Sequence, residues 1–242
     1  PAARAIACIA LVALIASSVA ATTPTTRSDS LTGTNLDATW KIESSPGNRI
    51  ETDRDGLRIT ADENTYAHIE REMTDDLVRV TCAIKPGNGV SWSTSLFVYW
   101  DTGNWVRIGI IPRGNGCFYA NETFSANCKE TDLSPCAMDR WSHVGIELAA
   151  DCIRYLSSHD GKSWKVELVG DRPEDVKRPP SLVILGKGFG TGKPEYPNPT
   201  LNNDYTQRGQ EAQSRLRDFR IEATAPAALW SSSEERMRRK GI

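Results

Sequence analysis

Ser95-Leu-Phe-Val-Tyr-Trp-Asp-Thr-Gly-Asn-Trp-Val-Arg-Ile-Gly-Ile-Ile111 reads as a β-hairpin. Two runs of apolar, β-branched and aromatic residues flank the polar turn Asp101-Thr-Gly-Asn104. The turn is expected to be a four-residue loop, with Gly103 at a positive φ. Pairing Trp100 with Trp105 sets the expected register. Side chains alternate along a strand, so Phe97, Tyr99, Val106, Ile108 and Ile110 are expected on one face. Leu96, Val98, Trp100, Trp105 and Arg107 then share the other. The first face is wholly apolar and belongs to a core. The second combines two indoles with a guanidinium, which suits stacking on a sugar. A central strand buried on both faces is the competing reading, because large aromatics are mostly buried.

Outward from the hairpin, short strand-like runs alternate with turn signals. They are Ala38–Glu43, Gly56–Ala61, Ala67–Met73 and Leu77–Lys85 before it. After it come Trp141–Leu148, Cys152–Ser158, Ser163–Gly170, Ser181–Gly186 and Leu216–Ala223. With no convincing long amphipathic helix, this pattern predicts an all-β antiparallel sandwich. Asp53-Arg-Asp-Gly56 and Ser158-His-Asp-Gly-Lys-Ser-Trp164 are hairpin turns on their Asp-Gly signals. The second is close to an Asp-box but lacks one intervening residue, so it reads as a structural turn. Gly186-Lys-Gly-Phe-Gly-Thr-Gly-Lys193 is no phosphate loop, because Pro194 stands where Ser or Thr is needed. It opens a long polar loop running to Ser214.

The chain has 242 residues, 39 % of them hydrophobic, enough for one large core. Its net charge of −2 gives no electrostatic case for nucleic acid or an anionic membrane surface. Residues 1–21 read as a signal peptide, with Arg4 ahead of the apolar run Ile6–Ala16 and small residues at Ser18–Ala21. Residues 22–34 read as a Thr/Ser/Pro-rich linker, 35–224 as the sandwich domain and 225–242 as a charged tail. Export places the chain in a secreted, periplasmic or cell-surface setting, with no membrane contact after signal removal. An oxidising compartment favours disulfides among Cys82, Cys117, Cys128, Cys136 and Cys152. Cys82 and Cys152 are candidates to bridge adjacent strands. One pair among the other three would staple a polar loop. No cofactor is expected, although the oxygen-rich turns Asp53–Asp55 and Asp101–Asn104 would suit calcium.

The residues from Trp40 to Ala223 resemble the concanavalin A-like lectin/glucanase superfamily, and within it secreted bacterial domains without assigned function. Tyr66-Ala-His-Ile-Glu70, Leu77-Val-Arg-Val80, the hairpin, Trp141-x-x-Val144, Ser158-x-Asp-Gly-x-x-Trp164 and Leu216–Ile221 carry the resemblance. It implies a jelly roll and a polysaccharide or glycan partner. Superfamily glucanases use a Glu-x-Asp-x-Glu strand. Glu51-Thr-Asp-Arg-Asp55 has that spacing but ends in Asp at a turn. His68-Ile-Glu70-Arg-Glu72 also sets three polar groups on one strand face. The leading expectation is a non-catalytic carbohydrate-binding or cell-surface module. Its ligand site would comprise Trp100, Trp105 and Arg107, with Glu70 or Glu72 beside them and Trp92 at the strand entrance. One alternative is a polysaccharide-active hydrolase or lyase, which needs two convergent carboxylates, or a base near a cation, in a cleft. Another is a purely structural envelope module.

Overall fold

The computed structural model describes residues 23–61, 65–86, 94–101, 103–113, 116–125, 127–137, 140–187 and 212–224. Fifteen strands follow one another: β1 (Thr25–Asp29), β2 (Lys41–Ser44), β3 (Arg49–Asp53), β4 (Gly56–Ala61), β5 (Ala67–Glu72), β6 (Asp76–Pro86), β7 (Thr94–Asp101), β8 (Asn104–Arg113), β9 (Gly116–Ser125), β10 (Asn127–Pro135), β11 (Ser142–Leu148), β12 (Cys152–Ser158), β13 (Lys165–Asp171), β14 (Leu182–Lys187) and β15 (Ala212–Thr224). They form two antiparallel sheets. One has the order β13-β12-β11-β6-β15-β4-β3, with β1 also paired to β15. The other runs β10-β9-β8-β7-β14-β5-β2. The expected all-β sandwich is what the chain forms.

Alternation explains the core. Val80, Cys82 and Ile84 of β6, Val144 and Ile146 of β11, and Leu57 and Ile59 of β4 point inward from the eight-stranded sheet. Leu96, Val98 and Trp100 of β7, Val106, Ile108 and Ile110 of β8, and Val183 and Leu185 of β14 meet them from the other. Removing this much apolar surface from water is the main stabilising term of the fold.

The hairpin departs from its expected register. Asp101 does pair with Asn104, but the next pair is Tyr99 with Trp105, and the register shifts between them. Trp100 is therefore the extra residue of a β-bulge, with no partner on β8. A one-residue slip exchanges faces. Trp100 joins the inter-sheet core, while Trp105 and Arg107 stand with Phe97 and Tyr99 on the outer face. The turn is also tighter than the expected four-residue loop. Asp101 and Asn104 close it, and Gly103 does not adopt a positive φ.

Three other expectations change. Thr25–Asp29, read as linker, is a strand on β15. The polar segment around Cys117, Cys128 and Cys136, read as loop, forms β9 and β10. Cys82 and Cys152 cannot bridge, because β11 lies between their strands, and the described cysteines are free thiols. The signal segment, the tail and most of the loop after Gly186 lie outside the described residues. The Ser158–Trp164 turn is structural, as expected: Asp160 Oδ1 accepts the backbone N–H groups of Lys162 and Ser163, each at 2.8 Å, around Gly161 at φ 69°.

Candidate functional site

The outer face of the seven-stranded sheet is built in rows, because partners in an antiparallel ladder share a face. One row is Lys41, Glu70, Ile184, Phe97 and Arg107, contributed by β2, β5, β14, β7 and β8. The next is Glu72, Leu182, Tyr99 and Trp105. On the other side stand Glu43, His68, Gly186, Ser95 and Gly109. The last row has no room for larger residues at its glycines. A Cβ at Gly109 would lie 2.1 Å from Ser95 Oγ and 2.8 Å from Thr94 O.

This face does not offer the expected stacking platform. Trp100 is only 2 % exposed and faces the other sheet, its Nε1 donating to Arg178 O at 2.8 Å. Trp105 is 1 % exposed and packs with Phe97, Ala120 and Ile184, its ring 6.1 Å from that of Phe97. Arg107 is equally buried, its guanidinium 5.6 Å from the Phe97 ring centre. Phe97, Trp105, Ala120 and Ile184 form a second apolar layer while Trp100 lies in the inter-sheet core, so the expectation of two part-exposed indoles is corrected. The bulge at Trp100 separates them, and burial closes both. Trp92 lies outside the described residues.

Polar chemistry gathers instead at the β5–β2 edge. A cleft of about 390 Å³ is lined by Thr39, Trp40, Lys41, Glu70, Arg71 and Glu72 among others. The alternation of β5 brings His68, Glu70 and Glu72 to one side, and the register brings Lys41 opposite Glu70. Lys41 Nζ donates to Glu70 Oε1 at 3.2 Å and contacts Glu43 Oε1 at 2.6 Å. His68 Nε2 lies 3.7 Å from Glu70 Oε2. His68 and then Lys41 hold the Glu70 carboxyl down at about 2, against the desolvation of its buried position. Glu72 is exposed, and no hydrogen bond or ion pair ties it among the described residues. Trp40 forms the cleft wall. Its Nε1 donates to Asp29 Oδ2 at 2.8 Å, Phe219 packs edge-on at 4.8 Å, and Arg71 lies 5.9 Å from its ring centre.

The Glu51, Asp53, Asp55 set converges only in part. Glu51 and Asp53 line a separate cleft of about 500 Å³, where both are bound by arginines. Arg58 pairs with Glu51, and Arg215 Nη1 reaches Asp53 Oδ1 at 2.8 Å. Asp55 is exposed on the turn, where its N–H donates to Asp53 Oδ1. The carboxylate of the other calcium candidate, Asp101, accepts from Gly103 N and Asn104 Nδ2 and pairs with Arg178. Among the described residues no cluster of three or more His, Cys, Asp or Glu could hold a metal ion. Lys41 and the wall residue Trp40 were not singled out from the sequence. The signal for Lys41 lay in its alternation with Glu43 on a short edge strand, whose pairing partner a sequence does not reveal.

No family model and no curated protein matches the chain. Solved structures do. The apo Crh5 transglycosylase is 16 % identical with a TM-score of 0.64, over 84 % of this chain and 85 % of that one. The catalytic domain of an endo-1,3-beta-glucanase (laminarinase) from Thermotoga petrophila RKU-1 is 13 % identical with a TM-score of 0.60, over 84 % and 99 %. The GH43 BlXynB protein from Bacillus licheniformis is 14 % identical with a TM-score of 0.53, and the chain spans only 39 % of its length. At these identities the likeness establishes the fold alone, an antiparallel β-sandwich. It also corrects the leading functional expectation. That expectation is a non-catalytic module, whereas the neighbours covered to 85 % and 99 % of their own length include a transglycosylase and a glucanase.

Proposed function

We propose that this chain is a polysaccharide-active enzyme, a glycoside hydrolase or transglycosylase, working in the cleft of Lys41, Glu70 and Glu72. The observation that carries the reading is the pairing of two unlike carboxyls in one cleft. Glu70 is held as an anion by His68 and Lys41, while Glu72 is exposed and untied. Glycoside hydrolysis uses two carboxyls flanking one bond, one as the anion and one as the proton donor. Glu70 would stabilise or attack the anomeric carbon, and Glu72 would protonate the departing glycosidic oxygen. Alternate strand positions are about 6.6 Å apart at Cα. Flexible glutamate side chains bridge that to the roughly 5–5.5 Å separation of double-displacement enzymes. Thr39 and the edge of Trp40 line the wall of that cleft.

The neighbours' chemistry supports β-glucan or chitin-type polysaccharides as the substrate class. Crh5 has also been solved in complex with NAG, and the laminarinase acts as an endo-1,3-beta-glucanase. Export fits such substrates and is supported by the basic and then apolar segment at residues 4–16. We read the protein as a secreted domain of bacterial type on the resemblance described above. The test is product analysis of the full chain with laminarin and with chitin oligosaccharides. The expected result is shortened or transferred chains, lost in Glu70→Gln and in Glu72→Gln. A folded wild-type chain that changes neither substrate would overturn the proposal.

A further inference from the structure

Cys117 and Cys136 face each other at the base of the β9–β10 hairpin. Pro135 pairs with Phe118, and the ladder continues one step further, with Cys136 N donating to Cys117 O at 2.8 Å. The two sulfur atoms are 2.9 Å apart. Closing that gap to a bonded S–S distance of about 2.05 Å takes less than an ångström of movement. No other described thiol competes. Cys82 is fully buried on β6 in the opposite sheet, and Cys152 starts β12. Cys128 pairs in register with Phe124. Phe124 is seven residues along β9 from Cys117, roughly 23 Å at the rise of a strand.

We propose that Cys117 and Cys136 form a disulfide that staples the β9–β10 hairpin when the chain meets a small-molecule disulfide such as oxidised glutathione. Cys117 is the attacking group, since the Cys136 thiol at its side favours the thiolate. The thiolate displaces one glutathione thiolate and forms a mixed disulfide. Cys136, giving up its proton, then displaces the second. One S–S bond forms in the protein, two thiol protons are released, and two electrons reduce glutathione disulfide to two thiols. The cross-link spans a separation of 19 residues and ties the sheet-edge strand β10 to β9. A loop of this length stabilises chiefly by constraining the unfolded chain.

The test uses the full chain equilibrated with oxidised glutathione, alkylated and digested without reductant. Trypsin cuts after Lys129 and a Glu-specific protease after Glu122, which places Cys117, Cys128 and Cys136 on separate peptides. The expected result is a Cys117–Cys136 linked pair. The melting midpoint should also fall by on the order of 5–10 °C on adding reductant. That shift should be absent in the Cys136→Ser variant. Full alkylation of both thiols in the folded, oxidised wild type would overturn the proposal, as would linkage of either one to Cys128 or Cys152. The peptide readout does not require any variant to fold.

Discussion

The outer faces of the two sheets treat charge in opposite ways. On the eight-stranded sheet, charges sit directly opposite their partners and face solvent: Glu51 with Arg58, and Glu147 with Arg154. Arginines there also lie over indoles, Arg79 at 4.6 Å from the Trp164 ring centre and Arg217 at 4.1 Å from that of Trp141. On the seven-stranded sheet, Arg107, His68 and Glu70 are buried, Arg107 against the Phe97 ring, and Glu72 stands untied at the cleft. Exposed pairs are cheap to form and contribute little. Buried charge is costly unless its surroundings hold it. The contrast therefore separates a solvated surface from the face where the fold sustains polar groups at a cost.

That contrast can be broken by mutation. The largest stability effect is expected at the bulge. Trp100→Ala removes a core indole and strands the Arg178 carbonyl, and should cost about 3–5 kcal/mol in denaturant unfolding. Glu70→Gln should lower turnover by on the order of 10²–10⁴-fold while the far-ultraviolet circular dichroism stays unchanged. Gly109→Ala forces a Cβ against Ser95 and the Thr94 carbonyl, and should destabilise by about 1–3 kcal/mol. A compensating Ser95→Gly should restore part of that loss, since the closest clash is with Ser95 Oγ. The pH dependence has a defined sign. The folded-state pKa of Glu70 is depressed to about 2 from its ordinary 4.5, so its contribution is present above the ordinary value and fades as pH falls toward 2. Melting curves between those limits should be steeper in pH for the wild type than for Glu70→Gln. The smallest effect belongs to the solvated face, where Glu51→Gln should move the midpoint by under about 2 °C.

Much of the architecture was legible. Gly56–Ala61 and Cys152–Ser158 coincide with β4 and β12 to the residue, because a short alternating run beside an Asp-Gly turn leaves few other options. β9 and β10 were not legible. Asn121-Glu-Thr123 and Lys129-Glu-Thr-Asp132 carry no apolar alternation, and the strands exist because β8 offers an edge to pair with. The stacking site failed for a different reason. A single unpaired residue, Trp100, reverses which side chains share a face, and the turn looks the same with or without the bulge. Glu70 was readable from the period of β5. The cleft that gives it meaning comes from β2, whose register opposite β5 is a tertiary fact.

The most direct test sets the two faces against each other in one assay. Oligosaccharide products from laminarin and chitin oligosaccharides would be resolved by mass spectrometry for the wild type, Glu70→Gln, Glu72→Gln and Glu51→Gln, each confirmed folded. The account predicts products from the wild type and Glu51→Gln and almost none from the other two. Retained turnover in Glu70→Gln with loss in Glu51→Gln would contradict it, and so would a folded wild type that yields no product.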